Sequence, residues 1–300
     1  MSQIAWIAVD WGTSNLRVWA MDAADQVIAT ASSDRGMGAL APPEFETALL
    51  DLTAEWLTET AVMPVVACGM VGAKTGWVEA AYRAVPGAPV GADVTFAPCA
   101  DPRHRVAIIA GMAQSDPADV MRGEETQIAG FLAAEPAFVG TVCMPGTHTK
   151  WVRISDGRVQ AFRTVMTGEI FAVLSQQSVL RLTVAASGWD DAVFAQTIQQ
   201  TAADPASLTA DLFGVRSGAL VAGMSPEQAR ARLSGLLIGA ELAATREYWD
   251  GCNVRILGGA GLSSMYARAL KCVRAEARVL DGERLTLDGL TAAYRALDGE

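Results

Sequence analysis

The sequence predicts an α/β protein made of two similar lobes, and three observations carry that reading. Short apolar runs of β type alternate with segments of helical spacing, the pattern of sheets flanked by helices. Apolar residues are 51% and charged residues 19% of the 300 positions, enough to fill sizeable cores and too apolar for disorder. After Glu135-Pro136 the chain begins again: a strand, a polar Gly-Thr turn, a strand and an aspartate turn recur, with Gly12-Thr13 lying over Gly146-Thr147 and Asp22 over Asp156. Two unrelated hairpins with glycine turns would look the same. The expected lobes are residues 1–135 and 136–300, packed closely around a cleft.

Each element has a local reason. Residues 4–9 and 16–21 are apolar β-type runs on either side of the polar turn Asp10-Trp11-Gly12-Thr13-Ser14-Asn15, and 26–31 follows the next turn as a third strand. Residues 43–60 place Phe45, Leu49, Leu52, Trp56 and Leu57 on one helical face. Strand 62–68 is wholly apolar and ends at Gly69-Met70-Val71-Gly72. Residues 73–102, rich in Gly, Pro and Ala, read as a long loop with short strands at most. Strand 105–110 and helix 124–134 close the first lobe. In the second, strands are expected at 138–144, 150–154, 254–257 and 278–280, and helices at 170–182, 190–201, 226–249, 263–272 and 287–297.

Composition excludes several functions. Lys and Arg total 23 against 33 Asp and Glu, a net charge of −10, so neither nucleic acid nor an anionic membrane is an expected partner. The five cysteines are odd in number and irregular in spacing, without C-x-x-C, and read as reduced thiols. Neither histidine, His104 or His148, lies near a cysteine pair, so a structural zinc site is not expected. There is no basic leader and no apolar run of membrane-spanning length. The expected location is the cytoplasm; homo-oligomer formation is left open.

Three turns can cradle phosphate: Gly12-Thr13-Ser14, Gly146-Thr147, and Gly258-Gly259-Ala260-Gly261 ahead of a helix. Glycine lets the backbone approach an anion, successive N–H groups point at it, and hydroxyls add donors. Asp10, closing the first strand, either offers a hard oxygen ligand to Mg²⁺ or caps the turn. Glu124 and Glu125 open a helix whose dipole favours them; one of them can instead serve as the base that takes a hydroxyl proton. Arg122 suits a substrate carboxylate. Gly69 and Met70 either offer backbone donors or simply end a strand, and His148 either touches ligand or fills its turn. The Rossmann, P-loop and Ser-His-Asp patterns are absent.

These residues resemble a known group. Asp10 to Arg17 looks like the first phosphate motif of the actin, heat-shock-70 and sugar-kinase superfamily, Pro145-Gly146-Thr147-His148 its second, and Val254 to Gly261 its adenosine motif. More closely, six blocks resemble the 2-dehydro-3-deoxygalactonokinase family: Asp10 to Arg17, Gly69 to Gly72 with Gly76-Trp77, MRGEETQ (121–127), MPGTHTKWV (144–152), FRTVMTGE (162–169) and LSGLLIGAE (233–241). They span nearly the whole chain.

The resemblance implies two ribonuclease-H-like domains with mixed five-stranded sheets and an active-site cleft between them. It further implies transfer of the γ-phosphoryl of ATP, with Mg²⁺, to the 6-hydroxyl of 2-dehydro-3-deoxy-D-galactonate. Gly12, Thr13, Ser14, Gly146 and Thr147 would hold the triphosphate, and Gly258, Gly259 and Gly261 the adenosine, with 233–241 as a second wall. Asp10 would serve Mg²⁺. Asn15, Arg17, Gly69, Met70, Arg122, His148 and Arg163 would face the sugar acid, with one of the three arginines on its carboxylate. The base would be Glu125, Glu124 or Asp10. Where many superfamily members carry a second motif carboxylate, this chain has Met144. A phosphohydrolase and a nucleotide-dependent binding protein of the same superfamily are the alternatives.

Overall fold

The computed structural model describes residues 3–298. The chain forms two compact units: Met1–Phe138 with Ser155–Ala161 and Gly282–Glu300, and Val139–Ile154 with Phe162–Asp281.

In the first unit, β1 (Trp6–Trp11), β2 (Leu16–Met21) and β3 (Val27–Ser33) form the expected meander, followed by α1 (Phe45–Thr53) and β4 (Met63–Gly69). β5 (Tyr82–Ala84) and β6 (Val94–Phe96) are the short strands of the Gly- and Pro-rich stretch. β7 (His104–Ile109), β8 (Gly111–Ser115), β9 (Ala118–Met121) and α2 (Glu124–Ala134) follow. The main sheet has the order β3-β2-β1-β4-β7-β6, and β5, β8 and β9 form a small separate sheet. β1 alternates across its pleat. Ile7, Val9 and Trp11 pack with Phe45 and Leu49 of α1, while Trp6 and Ala8 pack with Leu290 and Ala293 on the other face.

The second unit repeats the plan with β10 (Gly140–Met144), β11 (Thr149–Ser155) and β12 (Arg158–Val165). Helices α3 (Thr167–Gln177), α4 (Asp191–Ala203), α5 (Leu208–Val221), α6 (Pro226–Ala244) and α7 (Arg246–Trp249) come next, then β13 (Val254–Gly258), α8 (Ala260–Cys272) and β14 (Ala277–Asp281). Its sheet order is β12-β11-β10-β13-β14. In both units the first strand pairs antiparallel with the second and parallel with the fourth. The repeat seen faintly in the Gly-Thr turns is therefore a repeat of topology.

Several sequence expectations need correction. The first sheet has six strands rather than five, because β6 pairs antiparallel with β7 at its edge. The second lobe does not run to the C-terminus. The last helix, α9 (Gly282–Asp298), belongs to the first unit, where it crosses α2 at close range. A Cβ at Gly289 would lie 1.8 Å from the Thr126 carbonyl oxygen, and one at Gly130 would lie 2.0 Å from that of Leu285. β8, β9, β12 and α5 lay outside the predicted elements. The helix expected at 226–249 breaks at Thr245, whose hydroxyl turns back onto the Glu241 carbonyl. All five cysteines are free thiols. Among the described residues no helix is long and apolar enough to cross a membrane.

The α2–α9 crossing yields a stability test. Gly289→Ala should destabilise the chain by about 3 kcal/mol, since neither backbone can yield cheaply. Gly261→Ala, in open space on the first turn of α8, should be neutral or gain up to about 1 kcal/mol. Urea unfolding of both variants measures the difference.

Candidate functional site

In the first unit, β1 and β4 run parallel, so their C-terminal ends open on the same side of the sheet. Open α/β sheets bind ligands there. A cavity of about 390 Å³ occupies that position, lined by Asp10, Gly12, Thr13, Ser14, Asn15, Arg17, Gly69, Met70, Arg122, Gly123, Glu124, Gln127 and Thr286. Three separate sequence motifs thus converge.

Their convergence is built by strand register and glycine. Asp10 and Arg17 are direct cross-strand partners, and Arg17 Nη2 donates to Asp10 Oδ2 at 2.7 Å. Between them Gly12 N–H donates to the Asn15 carbonyl at 2.9 Å, leaving Thr13, Ser14 and Asn15 exposed at the tip. Gly69 has φ +90°, and a Cβ there would lie 2.7 Å from the Trp11 carbonyl oxygen, so only glycine lets β4 end against β1. Gly123, at φ +104°, stands over Gly69: its Cβ position is 3.3 Å from Gly69 Cα.

The two adjacent glutamates face different surroundings. Glu125 is wholly buried, and both of its carboxylate oxygens accept from Gly123 N–H, at 2.8 and 2.7 Å. Burial, with the neighbouring Glu124 charge second, pushes its pKa up to about 8. Glu124 lines the cavity and accepts from Arg122 N–H at 3.0 Å. Arg122 lies over the Tyr82 ring at 4.3 Å and donates from Nη2 to the Ala80 carbonyl at 2.7 Å. Its Nε and Nη1 are buried and have no hydrogen-bond partner. Beneath Asp10 lies Cys68, whose thiol burial raises well above its usual range.

The second unit has a cavity of about 190 Å³, lined by Gly146, Thr167, Gly168, Phe171, Trp189, Arg230, Ser234, Leu237, Ile238, Leu262, Met265 and Tyr266. Under its floor Glu241 is buried and accepts from Trp151 Nε1 at 2.8 Å and the Tyr266 hydroxyl at 2.7 Å, with Thr167 as a further partner. Burial raises its pKa to about 7. Gly235 and Gly239 do not face this cavity. They let α6 approach α4, where Cβ atoms would meet Thr197 and Thr201 at 2.8 Å.

The structure sorts the predicted residues. Asp10, Gly12, Thr13, Ser14, Asn15, Arg17, Gly69, Met70, Arg122 and Glu124 meet in the first cavity, and Gly146 lines the second. Thr147 is exposed in its turn, and His148 pairs there with Glu169 across an Nε2–Oε2 contact. Gly258, Gly259 and Gly261 form the β13–α8 turn, but Leu262, Met265 and Tyr266 of α8 are what line the second cavity. Arg163 is exposed on β12 and lines neither cavity. Met144, in place of a second motif carboxylate, is buried at the end of β10. Sequence reasoning missed Gln127 and Thr286, which bond to each other at 3.1 Å, and the aromatic wall of Phe171 and Trp189. Trp189 stands as an isolated large ring between Ser187-Gly188 and Asp190-Asp191, which is a usable signal, whereas Phe171 is lost in the apolar run 170–174. Thr286 carries none.

A family model for 2-keto-3-deoxy-galactonokinase matches residues 10–293. The chain belongs to this family. A Rhizobium meliloti (strain 1021) protein assigned as a 2-dehydro-3-deoxygalactonokinase is 40% identical over 302 residues, covering 97% of this chain and 96% of that one. The 2-dehydro-3-deoxygalactonokinase of Escherichia coli (strain K12) is 32% identical over 297 residues, covering 97% and 98%. A crystal structure of a Sinorhizobium meliloti protein assigned the same activity superposes with a TM-score of 0.91 at 39% identity, over 97% of this chain and 99% of that one. The activator of 2-hydroxyisocaproyl-CoA dehydratase from Clostridium difficile, solved with ADPNP, shares the fold at a TM-score of 0.51 and 15% identity, over 98% and 94%. The fold is that of the actin-like ATPases. As a member of the 2-keto-3-deoxy-galactonokinase family the chain is a kinase, and a kinase implies ATP as donor.

The buried glutamates set a pH dependence. An acid whose pKa is higher folded than unfolded favours the folded chain below the unfolded value, near 4.5, and loses that contribution as pH rises through the folded value. Between about pH 5 and about pH 8 the urea midpoint of Glu125→Gln should therefore fall less steeply than that of the native chain, with Glu241→Gln showing the same flattening nearer pH 7. One pKa unit corresponds to about 1.4 kcal/mol, so a fraction of either shift is measurable.

Proposed function

We propose that the chain transfers the γ-phosphoryl group of ATP to the 6-hydroxyl of 2-dehydro-3-deoxy-D-galactonate. Family membership supports the activity. The observation that carries the residue assignment is the meeting of Asp10, Glu124 and Arg122 at one cavity with the Gly12–Asn15 turn.

In this reading the adenine lies in the second unit's cavity, between the rings of Phe171 and Trp189 and the aliphatic Leu237, Ile238 and Leu262. Main-chain N–H groups and hydroxyls at Gly12, Thr13 and Ser14 in the first unit, and at Gly146 and Thr147 in the second, are the phosphate donors, with Gly258, Gly259 and Gly261 beside the ribose. Arg122, which lines the first cavity, receives the sugar-acid carboxylate as the charge-assisted donor there. Arg17, already paired with Asp10, steadies that aspartate instead. Asn15 and the Gly69-Met70 backbone orient the hydroxyls. Glu124 takes the proton of the 6-hydroxyl as its oxygen attacks the γ-phosphorus and the bond to the ADP oxygen breaks.

The Asp10 carboxylate suits Mg²⁺, which takes one or two protein carboxylates and fills its remaining positions with phosphates and water. Bound there, the ion would neutralise charge on the phosphates. Phosphoryl transfer asks mainly for alignment, so the residues that position the acceptor matter more than the strength of the base.

ADP release measured with and without the sugar acid tests the reading. Release should require the acid, and a comparable rate without it would favour a phosphohydrolase instead. Arg122→Gln should raise KM for the acid at least about tenfold with KM for ATP little changed, the effect of losing a charge-assisted pair. Asp10→Asn should lower kcat by about a hundredfold or more with nucleotide affinity nearly kept. Near-normal turnover of that variant rejects the assignment of Asp10.

A further inference from the structure

The first unit holds a second cluster of ligand-type side chains that shares no residue with either cavity. Glu46 stands in the first turn of α1, Cys99 in the loop after β6, and His104 opens β7. A carboxylate oxygen, the thiol sulfur and an imidazole nitrogen from these three lie within 4.8 Å of one another. His104 is 4% exposed, and its Nε2 points at Glu46 Oε1 from 3.6 Å. Neither ring nitrogen has a hydrogen-bond partner. A buried imidazole with both nitrogens unsatisfied is an exception that asks for a ligand.

We propose that Glu46, Cys99 and His104 form a binding site for a divalent cation of the zinc class. The donor set decides the class. Sulfur and imidazole nitrogen select zinc-like ions, whereas Mg²⁺ and Ca²⁺ want oxygen alone. Three protein ligands with one water complete the tetrahedron zinc prefers. The support around the ligands is already in place. Ala100 N–H donates to both Glu46 oxygens, at 2.8 and 3.0 Å, and Asp101 N–H donates to Oε1 at 2.9 Å, fixing the carboxylate as outer partners do in metal sites. Arg103, the nearby cation, is drawn off by Asp101 and Glu59. A bound ion would tie the 97–103 loop and the head of β7 to α1. The C-x₄-H spacing of Cys99 and His104 gives no warning in the sequence, because the third ligand comes from a distant helix.

The full-length chain, stripped with a chelator, can be titrated with Zn²⁺ alone and with Co²⁺ alone. One equivalent of Zn²⁺ should bind, and Co²⁺ should show tetrahedral bands with a thiolate charge-transfer absorption. Cys99→Ser, nearly isosteric, should lose the charge-transfer absorption and weaken Zn²⁺ binding by about a hundredfold, while Cys272→Ser keeps both. His104→Gln should weaken Zn²⁺ binding similarly. Kinase turnover of Cys99→Ser with Mg²⁺ should equal that of the native chain, so the result stands apart from the proposed reaction. Absence of stoichiometric Zn²⁺ binding by the native chain, or an unchanged cobalt spectrum in folded Cys99→Ser, overturns the proposal.

Discussion

The Gly123 N–H held between the two carboxylate oxygens of Glu125 organises the mouth of the first unit's cavity. It fixes a left-handed glycine at the start of α2, and that turn sets Arg122 and Glu124 on the cavity side. Gly69 must be equally bare for the turn to sit where it does. The constraint is costly, since it keeps a carboxyl group fully out of water and lifts its pKa far above the usual carboxylate range. Such a group persists where the surrounding backbone depends on it.

The same device appears in the second unit. Glu241 gathers Trp151, Tyr266 and Thr167 beneath the apolar cavity, as Glu125 gathers the backbone beneath the polar one. Each unit thus sets a buried acid behind a cavity wall. The first wall offers carboxylates, hydroxyls and an arginine; the second offers rings and aliphatic side chains. That division suits a sugar acid and an adenine respectively.

Much of this was legible in the residues. The β1–β2 turn, the MRGEETQ and MPGTHTKWV blocks and the duplicated meander each depend on local chemistry, and local chemistry is what a sequence displays. Other features arise only from tertiary contact. Nothing in residues 282–298 indicates that they return to the first unit, because the information lies in two glycines, Gly130 and Gly289, that matter only together. The 233–241 block divides its faces: Ser234, Leu237 and Ile238 line the second cavity, while Gly235 and Gly239 serve helix packing, a division that only the tertiary contacts display. The adjacent glutamates were indistinguishable in sequence, because helical rotation buries one and turns the other outward.

That separation of roles is the centre of the account, and the steady-state kinetics of Glu124→Gln and Glu125→Gln test it most directly. The amide introduced by Glu125→Gln would keep an oxygen for the Gly123 N–H, so this variant should retain most of its turnover, whereas Glu124→Gln should lose about a hundredfold in kcat with KM for ATP little changed. A folded Glu125→Gln enzyme without turnover, beside a Glu124→Gln enzyme of nearly native rate, would contradict the account.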